Sequence, residues 1–273
     1  MRAVILAGGR GSRLAPYTTV IPKPLMPVGD RPILEIILRQ LRYFHFTHVT
    51  LACGYLADLM RAYVHSSPLC AELNMDIFVE HQPLGTAGAL RSIQGLDATF
   101  LAMNGDVLTT LDYSQLVAFH HAQQAALTIT VIERKFPVSL GVIRYHEDFS
   151  VYGYEEKPTL SFPVSTGIYV YEPRVLSYIE PEQYLDLPTL TLRLMAAGER
   201  VVAFPMNDYW LDIGNRDDFE LAAQAVELHA QDMHLDGLQP ISECHQKMPQ
   251  PVLGARSEFN KTLTHSDQSG HVE

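Results

Sequence analysis

Apolar positions over the first hundred residues follow two rhythms. Compact apolar runs at 3–7 (AVILA), 49–53, 75–80 and 99–103 have the length and composition of buried strands. Between them lie helical patterns at 33–46, 56–64 and 86–93; the first sets Ile33, Ile36, Ile37, Leu41 and Phe44 near one face. Asp30 stands where a side-chain cap for that helix is expected, with Pro32 in its first turn. Strand, helix and strand repeated at this spacing predict βαβ units, hence an α/β fold with a mainly parallel sheet. Ligands of such sheets bind at the carboxyl ends of the strands. Residues 8–13, 82–88 and 104–106 all fall there.

From about residue 126 the texture changes. Residues 126–133, 140–145, 151–155 and 167–171 alternate or are rich in β-branched and aromatic side chains, which predicts a smaller β-rich part. A helix is expected at 187–197, strands at 201–204 and 209–213, and a helix at 217–232 with Phe219, Leu221, Ala222, Ala225 and Val226 available for packing. The expected organisation is one domain over 1–240, divided into halves 1–125 and 126–240, followed by a loosely ordered tail at 241–273. No repeat of 20–50 residues, and no hexapeptide β-helix repeat, is visible.

An apolar content of 47% with 19% charged residues is ordinary globular usage. Twenty lysines and arginines against 31 acidic residues give a net charge of −11, so the bulk balance shows no nucleic-acid footprint. A local cationic site for a small anion stays open. Cys53, Cys70 and Cys244 match neither a disulfide framework nor a CxxC metal site, which points to a reduced, cytoplasmic setting. No run is long enough to serve as a membrane span.

The densest chemical signal lies in the first 27 residues, GGRGSRL at 8–14 followed by PKPLMP at 22–27. A strand opening into Gly8, Gly9, Gly11 and Ser12 makes a loop whose N–H groups can approach phosphates closely, and Arg13 and Lys23 add cations. The dinucleotide fingerprint fails, because Leu14 occupies its third glycine position; the P-loop pattern fails at Arg13. Asp106 follows an apolar run and Asn104-Gly105, a placement that suits a carboxylate holding Mg²⁺ between phosphates. It equally suits a turn aspartate. Asp212 is open to the same two readings, its structural role being to cap the helix that follows. His120-His121 lacks a metal-spaced partner, and no G-x-S-x-G elbow is present.

The stretch GGRGSRL with PKPLMPVGDRPIL resembles the start of the sugar-1-phosphate nucleotidylyltransferases, with Ser12 in place of their usual threonine. The resemblance continues in order through LGTAG (84–88), NGD (104–106), EKP (156–158) and WLDIG (210–214), covering residues 1 to about 225. It implies a Rossmann-like three-layer αβα fold with a mixed, mainly parallel central sheet. It further implies transfer of a nucleotide from a nucleoside triphosphate to a sugar 1-phosphate with release of pyrophosphate. Arg13 and Lys23 would then be catalytic, and Leu6, Ala7, Gly8, Gly9, Gly11, Ser12, Gln82, Gly88 and Asp106 would bind the nucleotide. Gly141, Glu156, Lys157 and Gly167 would bind the sugar phosphate, and Asp106 with Asp212 would hold Mg²⁺. LGTAG with Asn-Gly-Asp most resembles the guanylyltransferase branch acting on mannose- or heptose-type substrates, in a short form without a C-terminal β-helix. The alternatives are dTTP- or UTP-dependent transfer to glucose 1-phosphate, or a silent nucleotide-sugar-binding subunit. A homo-oligomer is expected from the family's habit, with no nucleic-acid or membrane partner.

Overall fold

The computed structural model describes residues 1–235; the expected tail at 241–273 and Cys244 lie outside the described residues. In chain order the elements are β1 (Arg2–Ala7), β2 (Pro27–Val28), β3 (Arg31–Pro32), α1 (Ile33–Tyr43), β4 (His48–Cys53), α2 (Ala57–Ser66), α3 (Pro68–Glu72), β5 (Met75–Val79) and α4 (Gly85–Gly88). There follow β6 (Phe100–Asn104), β7 (Val107–Thr109), α5 (Tyr113–Gln123), β8 (Leu127–Pro137), β9 (Val142–Tyr145), β10 (Val151–Glu155) and β11 (Thr159–Tyr171). The last are α6 (Leu187–Ala196), β12 (Val201–Pro205), β13 (Trp210–Asp212) and α7 (Arg216–Leu228).

Seven strands form the central sheet in the order β12-β8-β11-β6-β1-β4-β5. All neighbours are parallel except β11, which runs antiparallel to both β6 and β8. The alternation of β1 shows how the layers form. Ala3 and Ile5 pack into a cluster with α1, α2, α3, α5 and α7, whereas Val4 packs with α4 and α6 on the other face. Both faces are covered, so the central strands read as unbroken apolar runs. The αβα expectation holds.

Several local expectations do not. Pro32, not Asp30, precedes α1, and that helix has no side-chain cap. Pro27–Val28 and Arg31–Pro32 pair as a small hairpin, so Gly29 and Asp30 form its turn and Asp30 meets Arg31 at 3.2 Å. The helix expected at 86–93 is one α-turn followed by a 3₁₀ turn at Ala89–Ser92, and within it Thr86 reaches out to a different helix. The Thr86 hydroxyl accepts from the Leu187 N–H, in the first turn of α6, at 2.9 Å. Strands β8 and β11 run well past the apolar segments expected for them, pairing from Tyr171↔Leu127 out to Thr159↔Pro137. Their outer halves are exposed, so nothing there enforces an apolar sequence.

Candidate active site

The site is built at the carboxyl ends of β1 and β6. Gly105 donates its N–H to the Leu6 carbonyl at 2.9 Å; a methyl on it would stand 3.2–3.3 Å from Ile5, Leu6 and Pro24. That fit lets the turn after β6 lie directly against the end of β1 and the turn at Pro24. Gly11 adopts φ +62, and its carbonyl accepts both the Leu14 N–H and the Thr18 hydroxyl, which fixes the curl of the loop. The result is a cavity of about 290 Å³ lined by Leu6, Ala7, Gly9, Gly11, Ser12, Arg13, Lys23, Pro24, Gly105 and Asp106. Eight of the residues expected from the sequence thus share one wall. Arg10 turns away, its guanidinium over the Tyr55 ring at 5.7 Å.

Lys23 Nζ donates to Asp106 Oδ2 at 2.5 Å, and Asp106 Oδ1 is buried with no hydrogen-bond partner among the described residues. The second aspartate arrives by a separate device. Strand β13 pairs antiparallel with β7, setting Asp212 opposite Val107, and the Ile213 N–H donates to the Asp106 carbonyl at 3.0 Å. Burial, and then the charge of Asp106, push the Asp212 carboxyl above the usual range, while Lys23 and Arg13 pull the other way. A methyl on Gly214 would lie 3.2 Å from Asp212 Oδ2 and 3.3 Å from Arg13 Nη1, so carboxylate and guanidinium flank the same glycine. Asp212 caps no helix; Asn215 caps α7 by accepting from the Asp218 N–H.

Among the described residues no group of three or more His, Cys, Asp or Glu side chains gathers as a metal cage. Two aspartates with one orphaned buried oxygen suit a hard cation that completes its shell with waters and ligand phosphates. Mg²⁺ therefore fits the donors present. His120 is buried between the Thr128 hydroxyl (2.8 Å) and Glu172 (3.2 Å), away from any such cluster.

The remaining expected residues divide into groups. Gly167 (φ +80) sits at a register shift in β11, and a methyl there would meet Asn104 Nδ2 at 2.6 Å, which brings it to the end of β6. Gly141, Glu156 and Lys157 cluster together on the exposed arm. The Tyr154 hydroxyl donates to Glu156 Oε2 at 2.8 Å and crowds Gly141, and Lys157 Nζ lies 4.0 Å from Glu156 Oε1. On the other side of the loop, Gln82 is exposed and donates to the Glu182 carbonyl at 3.0 Å. The Gly88 N–H donates to the Leu185 carbonyl, and a methyl on Gly88 would lie 2.6 Å from the Gln183 carbonyl oxygen.

Sequence reasoning missed Glu80. Its Oε2 accepts the Leu84 N–H at 3.1 Å, and its Oε1 lies 2.5 Å from where a Gly8 methyl would be. The available signal was an acidic residue closing the apolar run at 75–80, at a strand's carboxyl end.

Residues 2–228 match the profile of the family described as Nucleotidyl transferase. The chain belongs to this family. Among curated nucleotidyl transferases it is 32% identical over 245 residues to a UTP–glucose-1-phosphate uridylyltransferase of Synechocystis, covering 83% of this chain and 63% of the relative. It is also 32% identical over 227 residues to a mannose-1-phosphate guanyltransferase of Schizosaccharomyces pombe, covering 80% and 62%. The chain thus spans less than two thirds of the length of either. Solved structures agree on the architecture. A putative glucose-1-phosphate thymidylyltransferase from Bacillus anthracis in complex with a sucrose superposes with a TM-score of 0.65 at 25% identity, covering 82% of this chain and 94% of that one. HddC from Yersinia pseudotuberculosis complexed with GMP-PN gives 0.62 at 25% identity, covering 82% and 98%.

Proposed function

We propose that the protein transfers a nucleoside monophosphate from a nucleoside triphosphate to a sugar 1-phosphate. The observation that carries this reading is the convergence of Asp106, Asp212, Lys23 and Arg13 at the mouth of a glycine loop. In the reaction an oxygen of the sugar phosphate attacks the α-phosphorus in line. The bond from that phosphorus to the β-phosphate's bridging oxygen breaks, and pyrophosphate leaves. The attacking group is already an anion near neutral pH, so no general base is needed. The obstacles are repulsion between polyanions and charge growing on the leaving group, which positioned cations and amides relieve.

Each residue has a part. The loop amides and Arg13 hold the departing phosphates, and Lys23, tethered by Asp106, meets charge at the reacting phosphorus. Asp106 and Asp212 would hold Mg²⁺, which when bound supplies charge neutralisation and a template for the phosphates. Lys157 and Glu156 are suited to the sugar phosphate and to sugar hydroxyls.

Two relatives of equal identity differ in their named nucleotide, so similarity alone leaves the base open. Glu80 favours guanine. The edge of guanine presents adjacent N–H donors at N1 and N2, which a carboxylate accepts as a pair. Uracil and thymine present one donor between two carbonyls and would leave a carbonyl facing the acid. GTP is therefore the favoured nucleotide, and the motif resemblance pairs it with a mannose- or heptose-type 1-phosphate; dTTP or UTP with glucose 1-phosphate is the rival.

The test is pyrophosphate release with Mg²⁺ across GTP, dTTP, UTP, CTP and ATP, each with mannose 1-phosphate and glucose 1-phosphate. Release requiring both substrates supports the reaction class. A GTP preference that falls about tenfold or more in Glu80→Gln supports the base assignment. Nucleotide binding without release from any pair would favour the silent binding subunit.

A further inference from the structure

Trp210 is the chain's single tryptophan, and it lies two residues before Asp212 on β13. Residues so spaced on a strand face the same side, about 7 Å apart. The indole is pinned: its Nε1–H donates to the Thr166 carbonyl at 2.8 Å, immediately before Gly167. The ring therefore reaches from the aspartate pair toward the register shift in β11. On its face lies the Arg134 guanidinium, 5.7 Å from a ring centroid. Arg134 comes from the exposed outer half of β8 and, among the described residues, engages no carboxylate and no hydrogen-bond acceptor. Its neighbour Glu133 pairs across the strands with the Ser161 hydroxyl.

We propose that Arg134 is a second cation for the phosphate of the acceptor substrate, presented by Trp210. The inference rests on the proposed transfer and names one more binding residue for it. A guanidinium stacked on an aromatic ring keeps its N–H edge free, and that edge matches two oxygens of a phosphate. The acceptor needs such a partner. Lys157 is two-thirds exposed and leans toward the carboxylate of Glu156, so it offers a loosely held and partly neutralised charge to a dianion. Stacking restricts Arg134 beforehand, which lowers the ordering cost of binding.

The single tryptophan makes the claim readable without turnover. Intrinsic fluorescence would be titrated with mannose 1-phosphate, glucose 1-phosphate and inorganic phosphate, with neutral mannose as the control, in wild type, Arg134→Ala and Arg134→Lys. The expected result is a saturable response to the phosphates that weakens about tenfold or more in Arg134→Ala and is partly restored in Arg134→Lys. In the transfer assay the sugar phosphate KM should rise by the same factor while the nucleotide KM stays put. Lys135→Ala, one position along and on the opposite face, should change neither. An unaltered phosphate response and an unaltered sugar phosphate KM in Arg134→Ala would overturn the proposal and leave Arg134 as a cover for the indole. A phosphate response that depends on Arg134 in a protein that never releases pyrophosphate would overturn the transfer reading and keep the anion site.

Discussion

Lys23 Nζ rests 2.5 Å from Asp106 Oδ2, joining two turns 83 positions apart in the sequence. Each group bears on the role of the other. The carboxylate that fits a metal also aims the ammonium, and removing either alters both. Asp106→Asn and Lys23→Met should each lower turnover in the proposed transfer about 100-fold or more, the scale seen when one preorganised electrostatic contact is lost. Both groups keep partial access to solvent, so the stability cost should stay near 1–2 kcal/mol. Pyrophosphate release and urea midpoints on the two variants check this; turnover within a few fold of wild type in either would remove the residue from its assigned part.

Chelation separates chemistry from folding. Asp106 already has Lys23, and Asp212 already has Arg13 nearby, so the carboxylates do not need a metal to stay in place. Removing Mg²⁺ with EDTA should abolish transfer and leave the urea midpoint unchanged.

Two glycine substitutions should part company. At Gly85 (φ +76) a methyl would lie 2.5 Å from the Leu185 carbonyl oxygen, a backbone atom that cannot swing aside. Gly85→Ala should cost about 2 kcal/mol or more by urea denaturation. At Gly8 the obstacle is the end of the Glu80 side chain, which can rotate. Gly8→Ala should change stability by less than about 1 kcal/mol but erode the preference for GTP, because it displaces the acid assigned to the base.

His120 sets a pH dependence. Burial pushes its pKa below 6.5; Glu172 pulls it back, while His121 and Arg174 add to the lowering. Because the folded value lies below the unfolded one, the unfolded state takes up the proton first. The contribution is therefore intact above about pH 6.5 and is lost as pH falls toward the folded value. Urea midpoints measured downward from pH 7.5 should show a decline that is shallower in His120→Gln.

The parts legible in the sequence were those whose causes are local. Ile33, Ile36, Ile37 and Leu41 mark one helix face because a single core packs against them. Val4 between Ala3 and Ile5 marks a strand sandwiched by two layers of helices. The residues gathered around the glycine loop were likewise readable, because the strand, its glycines and Lys23 are neighbours in the chain. Asp30 misled because a two-residue ladder between Val28 and Arg31 claimed the segment first. Glu80 and Arg134 stayed hidden for another reason. Each takes its meaning from a distant partner, Gly8 or Trp210; Glu80 carries only its strand-end position as a local sign, and Arg134 carries none.

The stoichiometry of both products tests the proposed transfer at its root. Wild type would be incubated with Mg²⁺, GTP and mannose 1-phosphate, and nucleotide-sugar and pyrophosphate quantified together by mass spectrometry and a coupled assay, with Asp106→Asn and Asp212→Asn run alongside. Transfer at this site requires one nucleotide-sugar for each pyrophosphate in wild type and neither product from the two variants. Pyrophosphate formed without nucleotide-sugar, or full product from either variant, would contradict it.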